Sequence, residues 1–182
     1  MTRSRFIFSG AGGQGVITAA VILGEAAVLH DNLNAVQAQS YGPEARGGAA
    51  RAEVIISDSP INFPRVNNAN LITCLTQEAY NKFYAAIRPG GLLITDSDRV
   101  ATLKKVDARQ VELPLYQSAV ETIGNPVVLN ICMLGAVVNL SQAVRSESVI
   151  RVLEKRLPDE YIDLNRRAFQ LGIELGQQAN NQ

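Results

Sequence analysis

The chain has 182 residues, 17 basic and 17 acidic side chains and a formal net charge of zero. Apolar residues make up 47% and charged residues 19%, which suits a single folded domain over residues 1–182 with a real core. Zero net charge supplies no pull toward nucleic acid or a membrane, and 5% aromatics without Trp leave no stacking platform for single strands.

In chain order, residues 1–5 are basic, but only Phe6, Ile7 and Phe8 separate them from Ser9-Gly10. That stretch is too short for a signal peptide or a membrane span. Residues 5–9 read as a buried first strand. It runs into Gly10-Ala11-Gly12-Gly13-Gln14-Gly15, a G-x-G-x-x-G pattern with Gly13 added, and then into a helix over 14–29. A sharp strand-to-helix turn needs residues that tolerate positive φ, and the free N–H groups of the new helix attract anions. This is a Rossmann-like opening. The helix is apolar around most of its circumference, which predicts burial on more than one side. Residues 34–40 read as a second strand, polar at Gln37, Gln39 and Ser40. Residues 41–48 form a loop by composition, and 49–57 a strand with one wet end. The join is too short for a helical crossover, so these two strands are antiparallel or spaced apart.

Residues 70–75 read as another strand. Thr76 then caps a helix over 77–87 that Pro89-Gly90-Gly91 stops. A short strand over 92–95 follows, then Asp96-Ser97-Asp98, and one more strand over 111–113. Residues 116–123 read as helical up to the break at Gly124-Asn125-Pro126. An apolar helix over 127–144 embeds Asn130, Gly135 and Asn139. Two amphipathic helices, 146–156 and 159–178, close the chain. Strands alternating with helices predict a three-layer α/β/α sandwich around a mixed, mostly parallel central sheet.

The glycine pattern suggests a dinucleotide site, but such a site wants a carboxylate near the end of the second strand. Gln37-Ala38-Gln39-Ser40 supplies none, and Asp31 comes too early. An NADP variant would want a base there, and the first is Arg46. No Lys-Ser or Lys-Thr follows the glycines, so a Walker loop is excluded. A ligand-free turn, or an anion or partner contact of another kind, remains. The loop carrying Tyr41, Glu44 and Arg46 beside Gly47 and Gly48 is loaded for function, because an Arg flanked by glycines can approach a phosphate or carboxylate unobstructed. A turn with solvated charges is the plainer alternative.

Elsewhere the chemistry is thin. His30, the single histidine, sits at a helix end and reads as capping or exposed. Asp96 and Asp98 either cap a helix or pair to hold a metal. Cys74 and Cys132 lie in apolar runs without C-x-x-C spacing, so they read as buried free thiols in a reducing cytoplasm, with no zinc or iron–sulfur site. On residues alone, this is a ligand- or partner-binding domain without catalytic machinery.

Gly10-Ala11-Gly12-Gly13-Gln14-Gly15-Val16, the Gln39–Gly48 stretch QSYGPEARGG, Ala49-Ala50-Arg51-Ala52-Glu53-Val54 and Pro89-Gly90-Gly91-Leu92-Leu93-Ile94-Thr95-Asp96 occur together and in order. In this the chain resembles the gamma subunit of 2-oxoacid:ferredoxin oxidoreductases, most closely the 2-oxoglutarate type, from about residue 6 to residue 140. The resemblance implies an α/β subunit packed on alpha, beta and delta subunits of a cytoplasmic complex. It also implies that the complex turns a 2-oxoacid and coenzyme A into acyl-coenzyme A, CO2 and reduced ferredoxin. Thiamine diphosphate, magnesium and iron–sulfur clusters would lie on the partners, none being held by this chain alone. Gly12, Gly13, Gln14 and Gly15 would form the turn, and Tyr41, Glu44, Arg46, Gly47 and Gly48 would face partners or coenzyme A, with no catalytic or metal-binding residue here. A stand-alone NAD(P)-binding dehydrogenase and a purely structural scaffold are the alternatives, and a homodimer of the isolated chain stays open.

Overall fold

The computed structural model describes residues 3–40 and 48–181. Its elements, in chain order, are β1 (Arg3–Ala11), α1 (Val16–His30), β2 (Asn34–Ser40), β3 (Ala49–Ser57), β4 (Ala69–Cys74), α2 (Gln77–Phe83), β5 (Ile87–Asp96), β6 (Ala108–Leu113), α3 (Leu115–Ser118), α4 (Leu129–Ser141), α5 (Ser146–Arg156) and α6 (Asp159–Asn180). The six strands form one sheet in the order β2-β3-β1-β4-β5-β6. β4 runs parallel to β1 and to β5, and β6 parallel to β5, whereas β3 is antiparallel to both β1 and β2. The sheet is therefore mixed and mostly parallel, as the sequence predicts. The short 40–49 join makes β3 a hairpin-like return strand, and it slots between β2 and β1.

The unbroken apolar run of β1 serves both faces of the sheet. Phe6 and Phe8 join the core under α1, α4, α5 and α6, while Ile7 joins a smaller core with Ile72, Tyr80 and Leu93 under α2. A strand buried on both sides needs apolar residues at every position rather than at alternate ones. α1 is pressed between the sheet and α5, which explains its apolar circumference. Ala19, Ala20, Ile22, Leu23, Ala26 and Ala27 are fully buried. Of its large apolar side chains, Val28 and Leu29 are exposed, where α1 passes the free edge at β2.

Behind α1 the helical layer is closed by direct backbone contact. α4 and α6 approach so closely that a methyl group on Gly135 would overlap the Phe169 carbonyl oxygen, and one on Gly172 the Cys132 carbonyl oxygen. The C-terminal carbonyls of α6 are met by Arg109 from β6, whose guanidinium donates to Ala179 O at 2.7 Å and to Asn180 Oδ1 at 2.9 Å. Asp31 sews α1 to α5. Its carboxylate accepts the Arg145 N–H and Nε–H, both at 2.8 Å, and the Ser148 hydroxyl. Burial alone would raise the Asp31 carboxyl. The hydrogen bonds from Ser148 and Arg145, with the Arg145 charge, outweigh burial and hold it below its ordinary value of 3.8.

Two sequence expectations need correction. The helix capped by Thr76, whose Oγ1 accepts the Ala79 N–H at 3.2 Å, ends at Phe83 rather than at residue 87. A tight turn over Tyr84–Ala86 follows, and Ile87 already opens β5 by pairing with Ala69. Pro89-Gly90-Gly91 therefore lies inside β5, at a register shift between strands, and Gly90 N–H donates to Asp107 O at 2.7 Å. The 116–123 segment is regular helix only over Leu115–Ser118. It then widens, so that the Gly124 N–H is shared between Ala119 O and Val120 O.

Candidate functional site

The C-terminal ends of β1, β4 and β5 share one edge of the sheet, where open α/β folds bind their ligands. The glycine turn springs from β1 at this edge. Its geometry is set by Gly13 at φ 89° and Gly15 at φ 70°, both left-handed, and Gly15 is the residue that leads into α1. The turn is sealed by its own chain. Gln14 folds back so that its Oε1 accepts the Ala11 N–H at 2.7 Å, while Gln14 N–H donates to Ala11 O at 3.2 Å. A methyl group on Gly10 would come within 2.5 Å of that same Oε1. From behind, Asn130 of α4 donates through Nδ2 to Gly15 O at 3.2 Å.

This sealing bears on the dinucleotide reading. The Ala11 N–H that an anion would need is already satisfied by an uncharged amide oxygen, and no side chain caps α1. The outer rim is bare instead. Gly12 and Gly13 are exposed, and a methyl group on either would meet nothing within 4 Å among the described residues.

The second motif leads from the same edge. Ala11 of β1 pairs with Ala49 of β3, and Arg51 of β3 pairs with Ser40 of β2. The chain thus leaves β2 and re-enters β3 level with the glycine turn. Of the residues singled out there, Gly48 is half-buried just before β3, whereas Tyr41, Glu44, Arg46 and Gly47 lie outside the described residues.

Asp96 and Asp98 close the other side of the edge. Asp96 is fully buried, and its two oxygens accept the N–H groups of Asp98 at 3.1 Å and Tyr116 at 3.0 Å; Asp98 Oδ2 accepts the Gln117 N–H at 3.3 Å. Both carboxylates are thus committed to the first turn of α3, which decides for capping, though of a helix about 20 residues on. Burial pushes the Asp96 carboxyl above 3.8 despite those N–H donors. Arg99, in the turn after it, stacks its guanidinium 3.5 Å from the centre of the Tyr116 ring.

Cys74 and Cys132 are free and buried. Burial pushes both thiols up to about 12, with the Asp96 charge adding to it at Cys132. Neither is a nucleophile at neutral pH. Among the described residues no group of three His, Cys, Asp or Glu side chains converges, so nothing there fits an iron–sulfur cluster or a magnesium ion. His30 is the last residue of α1, and its carbonyl accepts a hydrogen bond from Arg145. Asn130 had no sequence signal beyond being a polar residue in an apolar helix.

The chain is similar to known proteins along nearly its whole length. A family model described as pyruvate ferredoxin/flavodoxin oxidoreductase matches residues 5–175. The 2-oxoglutarate synthase subunit KorC of Methanocaldococcus jannaschii is 45% identical over 178 residues, which is 97% of this chain and 95% of that protein. The pyruvate synthase subunit PorC of Methanothermobacter marburgensis is 28% identical over 170 residues, 92% of this chain and 94% of its own. Among solved structures, the gamma subunit of a keto/oxoacid ferredoxin oxidoreductase from Geobacter sulfurreducens matches with a TM-score of 0.91 at 41% identity, covering 98% of this chain and 99% of that one.

Proposed function

The chain belongs to the pyruvate ferredoxin/flavodoxin oxidoreductase family, and from that membership we propose that it is the gamma subunit of a 2-oxoglutarate:ferredoxin oxidoreductase. The observation that carries the choice of oxoacid is the contrast in identity, 45% to a 2-oxoglutarate synthase subunit against 28% to a pyruvate synthase subunit, at similar coverage. The complex would convert 2-oxoglutarate and coenzyme A into succinyl-coenzyme A and CO2 while reducing ferredoxin. A stand-alone NAD(P)-dependent dehydrogenase is not favoured, because Gln14 occupies the turn and no carboxylate ends β2.

The role of this subunit is non-catalytic. Its partners are the alpha, beta and delta subunits, which hold thiamine diphosphate, magnesium and iron–sulfur clusters. Those groups supply decarboxylation and electron transfer when bound there. The contacts to the partners or coenzyme A are assigned to Gly12, Gly13, Gln14 and Gly15 of the turn and to Tyr41, Glu44, Arg46, Gly47 and Gly48 of the second motif. The bare rim at Gly12 and Gly13 admits another backbone at close range. A stiff cover of this kind excludes water from a reactive centre without supplying a nucleophile. Two buried free thiols suit the reducing cytoplasm.

The test is to purify the complex through a tag on this chain and compare oxoacids. Co-purification of three further subunits, with coenzyme A-dependent ferredoxin reduction faster on 2-oxoglutarate than on pyruvate, is the expected result. A preference for pyruvate overturns the choice of substrate, and purification of the chain alone overturns the subunit reading. Arg46→Ala should lower coenzyme A-dependent turnover or complex yield while the subunit still folds.

A further inference from the structure

On the sheet face opposite α1, between β3, α2 and the 58–68 segment, lies a cleft of about 300 Å3 lined by Arg51, Glu53, Arg65, Val66, Lys82 and Phe83. Among the described residues it gathers three cations and one anion, in a chain whose net charge is zero. The single anion is already neutralised. Glu53 Oε1 lies 2.5 Å from Arg51 Nη2, and Glu53 Oε2 accepts the Val66 N–H at 2.9 Å. Arg51 returns Nη2 to Val66 O at 2.9 Å. The pair therefore grips both polar groups of one residue and pins the connecting segment to the sheet, and its charges cancel.

Arg65 and Lys82 are left over. Both are exposed, and neither has an ionic partner among the described residues. The ring of Phe83 forms an apolar wall with the Arg51 guanidinium 5.3 Å and the Lys82 ammonium 5.7 Å from its centre. A ring offsets little of the Lys82 charge. The Arg51 Nε is buried with no acceptor, so one donor at the floor of the site is unmatched as well as those at its mouth. A concave, half-apolar site with unmatched Arg and Lys donors takes an oxyanion, because both side chains bind phosphate and carboxylate oxygens through charge-assisted hydrogen bonds. The volume sits at the lower end of small-molecule pockets.

We propose that this cleft binds a small, multiply charged oxyanion, a phosphate ester or a di- or tricarboxylate, with Arg65 and Lys82 as its charge partners. It does not rest on the subunit reading. The cleft lies on the α2 side of β3, with Val66 and Phe83, and reaches the strand-end edge only at Ala49, the partner of Ala11.

Calorimetric titration of the full chain with pyrophosphate and with citrate tests this. Saturable binding is expected, weakened by about tenfold or more in Arg65→Ala and in Lys82→Ala, retained in Lys82→Arg, and weakened by salt. Unfolding midpoints should not move, since both side chains are exposed. Tighter binding of pyrophosphate assigns a phosphate ester, and tighter binding of citrate a carboxylate. Absence of saturable binding of either probe overturns the proposal, as does parental affinity in both alanine variants.

Discussion

Behind the sheet, α4 and α6 leave no room for a methyl group at Gly135 or Gly172, and Asp31 meets three donors, one of them a guanidinium N–H. At the strand ends in front, Gly12 and Gly13 stand bare, and Asp96 answers two N–H groups while carrying its charge into a fully buried position. In the helical layer Gly135, Gly172 and Asp31 are each accounted for by a neighbour in the same chain. The strand-end rim is not. Gly13 is required by its φ of 89°, but at Gly12 the fold asks for neither left-handed backbone nor a close contact. Under the proposed function, a partner subunit or coenzyme A would use that bare backbone.

Substitutions that fill space separate the two regions most sharply. Gly172→Ala drives a methyl group into the Cys132 carbonyl, and interiors at crystal-like density absorb such strain poorly. A loss of about 3 kcal/mol or more in urea unfolding is expected. A loss under about 0.5 kcal/mol would mean that the layer is looser than described. Gly15→Ala ranks next, at roughly 2 kcal/mol, since φ is 70° and the new methyl group would overlap Asn130. Truncating Asn130 as well should relieve part of that clash, so a double-mutant cycle with Asn130→Ala should be clearly non-additive; strict additivity would deny the contact.

Acid titration distinguishes the two regions by sign. Asp31 is lowered below 3.8, so its contribution is full above that value and is lost as pH falls through the folded value beneath it. Asp96 is raised, so its ionised form costs stability, and the fold gains as pH falls from the raised value toward 3.8. Urea midpoints measured from neutral pH to about pH 3 should show the stabilising effect of Asp31 relative to Asp31→Asn shrinking at the acid end. Relative to Asp96→Asn, the parent should gain over the less acidic part of that range. Slopes of the same sign would contradict the assignment. The smallest stability effect belongs to Gly12→Ala, within about 0.5 kcal/mol of the parent. That variant should nonetheless lower complex yield or coenzyme A-dependent turnover, and an unchanged complex would remove Gly12 from the contact surface.

Much of this fold could be read from local pattern. β2 and β3 fall where polarity alternation and turn residues put them, at Asn34–Ser40 and Ala49–Ser57, and Thr76 caps as its position predicts. The end of α2 could not be read. Pro89-Gly90-Gly91 looks like a helix stop until pairing between β4 and β5 draws it into a strand, which is a tertiary effect overriding a local one. The missing carboxylate at 37–40 argued against a dinucleotide. The physical reason, Gln14 closing on Ala11, needs coordinates, and so does Asn130, which reaches Gly15 across 115 residues. The cleft beside Phe83 was equally hidden, because packing assembles it from residues far apart in sequence, 51–53, 65–66 and 82–83.

Hydrogen exchange at the Gly12 and Gly13 amides tests the central claim most directly. If the bare rim is a contact surface of the complex, these amides gain protection when the chain is mixed with its partner subunits, and none when it is mixed with NADH. Protection by micromolar NADH, with no change on assembly, would return the turn to a dinucleotide site and contradict the account.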